Sequence, residues 1–160
     1  MSIQIDANSL VDKKFVGLPW ERLGRTEKGV DCIGIVWLYL KANGIDVPDT
    51  DGLPIPKDWK KQDAERMLKG VLKYGDMTTL NRVEKFDIVL FSLSNMTRKM
   101  PDHIAVMVSH SHFLHITEYG VSQVQGMDMF WRERLVGAVR LHKARSLVSV
   151  PLGTDIEVKL

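Results

Sequence analysis

Residues 30–40 read Val-Asp-Cys-Ile-Gly-Ile-Val-Trp-Leu-Tyr-Leu, and this run limits what the rest of the chain can fold into. From Ile33 onward it is apolar on nearly every side at helical spacing, and a helix with no polar face belongs in the centre of a core. Asp31 is its natural N-cap, which places Cys32 at the first helical position. Asn43 and Gly44 supply a left-handed stop at the other end. Gly34 lies inside the helix at a cost of about 1 kcal/mol relative to alanine. It implies either a close neighbour one turn from Cys32 or simple tolerance near a helix end.

Cys32 is the only cysteine, which excludes an intramolecular disulfide and a multi-cysteine zinc site. The residue is therefore either packing or chemistry. Unpaired N–H groups and the helix dipole in a first turn favour thiolate over thiol, which is how a cysteine becomes a nucleophile. A lone cysteine beside Ile and Val is also a good inert core residue.

With 160 residues the chain suits one domain, spanning 1–160, with a core of its own. Its net charge of +2, without a dense Lys/Arg block, argues against nucleic acid as a partner. No stretch approaches the roughly 20 apolar residues of a membrane span. Residues 1–10 lack a basic stretch followed by an apolar one, so synthesis in a cytoplasm without a secretion signal is expected. Neither a glycine-rich phosphate loop nor Gly-x-Ser-x-Gly is present, and no cofactor is expected.

A short helix is predicted over residues 9–16, then a loop rich in glycine and charge over 17–29. Three prolines make 46–57 an irregular connection, and an amphipathic helix follows over 58–73, a helical insertion around 50–80. Beyond Leu80 the pattern changes to short apolar runs. Strands are predicted at 86–91, 103–108, 113–117, 121–125 and 135–141, with a polar loop at 92–102. Helices first and strands afterwards indicate an α+β fold with an antiparallel sheet of five or six strands. The tail, 143–160, finds no place in this scheme.

A nucleophilic thiol needs a base, and the base needs a third group to hold its ring. The histidines are His103, His110, His112, His115 and His142. If residues 109–111 form a three-residue hairpin loop, Val108 pairs with His112 and His103 faces Thr117. His103 and His115 then become diagonal neighbours on one face. Ala105, Met107 and Phe113 share that face and would make it partly dry. Asp102 is a rival orienter, but its parity points it away from His103. His110, His112 and His115 could instead be read as metal ligands; two of them fall in a tight turn without a convincing carboxylate set, so no metal is expected.

These residues resemble the NlpC-type cell-wall cysteine peptidases, a papain-like family. The resemblance rests on Trp20, Gly24, Gly29, Asp31-Cys32-x-Gly34, the 86–91 strand, His103-Ile104-Ala105-Val106 and Phe113-Leu114-His115. It implies a papain-like fold with a buried nucleophile helix packed on the sheet. It also implies Cys32 as nucleophile, His103 as base, His115 as orienter, and a substrate-contacting set of Trp20, Asp31, Ile33 and Gly34. The implied substrate is the peptidoglycan stem peptide, cleaved at an amide bond. Trp131-Arg132-x-Arg134, running on to Arg140, resembles the bacteriophage tail-associated branch and implies tail proteins as partners. The same fold could also serve as a non-catalytic assembly or glycan-binding module. Four positions depart from the family's usual residues: Trp20 for tyrosine, Ile33 for serine, and Leu23 and Phe86 for glycine. These changes are expected to touch substrate contacts.

Overall fold

In the computed structural model, which describes residues 6–94 and 100–144, the loop before the cysteine closes as a small hairpin. Its strands are β1 (Arg25–Thr26) and β2 (Gly29–Val30), and the apolar run follows as α1 (Cys32–Ala42). Asn43 caps α1, and Gly44 takes the left-handed conformation at φ 81°. Upstream, the single helix expected over 9–16 is two turns of 3-10 helix, Ala7–Leu10 and Lys13–Phe15. Asp6 and Asp12 each accept a backbone N–H two residues ahead, and two local caps split what one helix would have joined.

The helix expected over 58–73 is also broken, into α2 (Trp59–Gln62) and α3 (Arg66–Leu72). Asp63 is extended between them, and its carboxylate accepts the Glu65 N–H at 3.1 Å. That side-chain turn competes with the helical ladder and wins.

The strands are β3 (Gly75–Thr78), β4 (Ile88–Phe91), β5 (His103–Met107), β6 (His112–His115) and β7 (Gln123–Gly126). After α4 (Met129–Arg134) comes β8 (Leu135–Leu141). They form one antiparallel sheet in the order β3-β8-β4-β5-β6-β7. β3 is a strand where the sequence offered only a helix-ending glycine, and β7 begins two residues later than expected. α4 was not foreseen; Asp128 caps it by accepting the Trp131 N–H at 3.1 Å. The 95–99 part of the polar loop and 145–160 of the tail lie outside the described residues.

Each face of the sheet is covered. On one, Ile35, Val36, Tyr39 and Leu40 of α1 pack with Ile88, Leu90, Ile104, Val106 and Leu114. On the other, Val89, Phe91, Ala105, Met107 and Phe113 gather around Trp131. This double burial explains why β4 and β5 read as apolar runs without alternation. Just ahead of β4, the buried carboxylate of Asp87 takes Arg140 in a two-pronged pair at 3.0 and 2.9 Å and accepts the Glu84 N–H at 2.9 Å.

Among the described residues two non-glycine positions hold positive φ, Leu23 at 62° and Phe86 at 78°. They occupy the two positions where the resembled family has glycine. These departures therefore keep the backbone conformation that glycine would adopt, at roughly 1–2 kcal/mol each. Phe86 offsets the strain by burial, with its ring 5.9 Å from that of Tyr39, whereas Leu23 is 43% exposed. In urea unfolding, Leu23→Gly is expected to match the parent or exceed it by up to about 1 kcal/mol. Phe86→Gly is expected to lose about 3 kcal/mol or more despite the relieved φ.

Candidate active site

The start of α1 is built by one carboxylate. Asp31 Oδ1 accepts the Gly34 N–H at 2.8 Å and Arg25 Nη1 at 2.8 Å, while Oδ2 accepts the Leu23 N–H at 2.9 Å. Arg25 is held in turn by Asp49 at 2.8 Å. The loop lies so close to the helix that a Cβ on Gly34 would fall 2.1 Å from the Gly24 carbonyl oxygen. A Cβ on Gly24 would fall 2.3 Å from the Gly29 oxygen. Gly34 thus has the close neighbour that its cost implied, and that neighbour is loop backbone; Gly34 is absent from the described cavity wall.

The β5–β6 hairpin has the three-residue loop that parity required. Val106 pairs with Leu114, Met107 with Phe113, and the Val108 N–H donates to the His112 oxygen at 2.9 Å. His103 and His115 meet on one face, with Nε2 of the first 2.9 Å from Nδ1 of the second, and both rings are buried. Asp102 is engaged elsewhere. It accepts the N–H groups of Leu93 at 2.8 Å and Ser94 at 3.0 Å, takes the Ser94 hydroxyl, and lies 3.5 Å from Lys60 Nζ. His110 is exposed, and His112 Nδ1 lies 2.8 Å from Ser111 Oγ. Among the described residues no three His, Cys, Asp or Glu side chains converge as a metal set.

A cavity of about 1070 Å³ opens beside these groups, with Trp20, Asp31, Cys32, Ile33, His103 and Trp131 on its wall. Residues that the sequence reading had not marked also line it, among them Trp59 from α2 and Phe130 and Arg134 from α4. The signal for α4 was the Asp128 cap, three residues before Trp131. Strand alternation sends His103 to the Trp131 face of the sheet, whereas α1 covers the Ile104 face. The sulfur of Cys32 accordingly faces the backbone N–H of Ile104 as well as that of Ile33. Among the described residues no hydrogen bond joins it to His103, whose Nδ1 is likewise without a protein partner.

Burial dominates the electrostatics. The Cys32 thiol is pushed up to about 12, first by loss of solvent and then by the Asp31 carboxylate; the Ile104 and Ile33 N–H groups and Arg25 oppose this. The first-turn expectation of a thiolate is therefore reversed, because a single helix-start N–H is outweighed by desolvation. His103 is pulled down to about 4 by burial against the opposing charge of Asp102. His115 goes down to about 3 through burial and the neighbouring His103. These shifts favour a neutral thiol and two neutral imidazoles at neutral pH.

Two measurements check this. Unfolded histidine binds protons near 6.5 and the buried pair resists them, so stability is complete above pH 6.5 and falls on acidification toward 4. The loss from His103 alone is on the order of 3 kcal/mol at pH 4. Urea unfolding across that range is expected to show the slope, and His103→Gln to make it shallower while His115 keeps its own share. Alkylation of Cys32 by iodoacetamide is expected to be slow at pH 7 and to keep rising about tenfold per unit beyond pH 9, where an ordinary thiol levels off.

The model of the NlpC/P60 family matches residues 17–140. Among solved structures, a Bacillus cereus NlpC/P60 family protein superposes with TM-score 0.60 at 19% identity, covering 84% of this chain and 40% of that one. A Staphylococcus aureus protein described as similar to lipoprotein, NLP/P60 family, gives 0.57 at 17% identity, covering 81% and 38%. The NlpC/p60 domain of the peptidoglycan hydrolase SagA gives 0.54 at 16%, covering 86% of this chain and all of that one. This chain thus spans about 40% of the first of these proteins. No curated protein sequence matches it. With the cysteine helix, the antiparallel sheet and the matched span in agreement, the chain belongs to the NlpC/P60 family.

Proposed function

We propose that this chain is a cysteine peptidase, or amidase, that hydrolyses amide bonds in the stem peptides of peptidoglycan, with Cys32 as nucleophile, His103 as base and His115 as orienter. The observation that carries the reading is the His103–His115 pair at 2.9 Å, which commits Nε2 of His103 and leaves Nδ1 beside a cavity that also holds Cys32. The peptidoglycan hydrolase named among the structural neighbours supports the substrate class.

With the thiol and the imidazole both neutral at rest, proton transfer accompanies attack. Cys32 Sγ adds to the carbonyl carbon while its proton passes to His103 Nδ1. The carbonyl oxygen becomes an oxyanion facing the N–H groups at the start of α1, including that of Cys32. The imidazolium returns its proton to the departing amine, leaving a thioester; water then adds to its carbonyl carbon as His103 takes a proton from it, and the C–S bond breaks with that proton returning to Cys32 Sγ. Rotation of the sulfur away from the Ile104 N–H toward Nδ1 belongs to this step. Trp20 and Ile33 form the wall against which the peptide lies. Asp31, whose oxygens are committed to Gly34, Leu23 and Arg25, holds that wall in shape.

Attachment to a bacteriophage tail is the setting that the residues 131–140 favour by resemblance. The neutral thiol and the missing sulfur–imidazole bond favour a second reading, a non-cleaving assembly module of the same fold. Muropeptides incubated with the protein and with Cys32→Ala, followed by mass spectrometry, separate the two. The expected result is amide cleavage by the parent and a loss of about 10³-fold or more in the variant. Cleavage by neither protein, with both folded, establishes the non-cleaving module.

A further inference from the structure

His115 Nε2 is a buried ring nitrogen without any nitrogen or oxygen partner among the described residues. Its other nitrogen is engaged with His103, so a single proton arrangement decides the character of both rings. If His103 Nε2–H donates to His115 Nδ1, then His103 Nδ1 carries a bare lone pair toward the cavity and His115 carries its proton on the orphan Nε2. If the bond runs the other way, His103 Nδ1 holds the proton and cannot accept another, and the orphan Nε2 is a bare lone pair. Only the first arrangement suits a base.

The surroundings of the orphan are aromatic. The Trp131 ring lies 4.9 Å from that of His115 at an interplanar angle of 84°, and the Phe113 ring lies 5.0 Å away at 69°. Trp131 itself is braced edge-on by Phe91 at 5.0 Å and Phe113 at 5.3 Å and is 8% exposed. An aromatic face is the negative part of the ring. It attracts an N–H and repels a lone pair, and indole is the strongest such acceptor.

We propose that the indole face of Trp131 accepts the His115 Nε2–H and is a positioning residue: by fixing the proton there, it leaves Nδ1 of His103 free to act as the base. The inference rests on the reading of His103 as base, but its first test does not need activity. In two-bond ¹H–¹⁵N spectra of the histidine-labelled protein at pH 7, assigned with His103→Gln and His115→Gln, both rings are expected to carry the proton on Nε2. The His115 proton is expected upfield of the usual imidazole N–H range because it lies over a ring. Trp131→Phe, which keeps a π face, is expected to preserve this pattern. Trp131→Leu is expected to move the His103 proton onto Nδ1 in a substantial fraction of molecules.

On muropeptide the expected effect of Trp131→Leu is a three- to tenfold fall in kcat with KM little changed, largely restored in Trp131→Phe. A parent protein with the proton on His103 Nδ1, or a folded Trp131→Leu with unaltered tautomers, overturns the proposal. Should Trp131→Leu fail to fold, the parent's upfield His115 proton decides: present, the proposal stands; absent, it falls. Tautomers as expected in a protein that cleaves nothing would uphold the role of Trp131 and sink the peptidase reading instead.

Discussion

The carboxylate of Asp31 holds together the part of the molecule on which the rest depends. By accepting from Gly34, Leu23 and Arg25 it fastens the helix start to a loop whose backbone is strained at Leu23 and packed against Gly34 without room for a methyl group. The same anion stands next to the cysteine and raises its thiol, and Arg25, pinned by Asp49, partly offsets it. The geometry that presents Cys32 at the cavity wall and the charge that discourages its ionisation thus come from one residue. Under the proposed mechanism such a site keeps Cys32 as a thiol and moves its proton when substrate arrives.

The histidine pair shows the same preference for neutral groups. Placed on the sheet face away from α1, among Phe91, Phe113 and Trp131, both rings are held neutral chiefly by desolvation; the Asp102 charge returns part of the loss at His103, whereas His103 adds to it at His115. The aromatic wall that keeps them uncharged also surrounds His115 Nε2, a buried ring nitrogen without a nitrogen or oxygen partner among the described residues. Desolvation and orientation therefore come from the same side chains.

Much of this was legible in the sequence where the physics is local. The all-round apolar run at 33–40 could only be a buried helix, Asp31 and Asn43-Gly44 mark its ends, and the three-residue loop at 109–111 put His103 and His115 on one face. Local caps that compete with a longer helix were legible too, but were outvoted by apolar periodicity: Asp6, Asp12 and Asp63 each start or stop a turn by side-chain hydrogen bonds. β3 was hidden because Gly-Asp-Met-Thr has neither alternation nor β-branched density; it exists through its pairing with β8. Leu23 and Phe86 looked like changes in substrate contact; both are also held in a glycine conformation by the loops around them, and Leu23 lines the cavity.

The order of residues alone determined the fold class, the position of the one thiol at a helix start and the spacing that lets two histidines meet, because capping, periodicity and strand parity act within a few residues. What the thiol and the rings are, as charged or neutral groups, was decided only when the chain closed. Desolvation is summed over everything that packs nearby, including Trp131, which arrives on a helix that follows the hairpin, and the opposite face of the sheet, which brings Ile104 against the sulfur. A first-turn cysteine is predisposed to ionise by its own helix, but in this protein burial outweighs that helix.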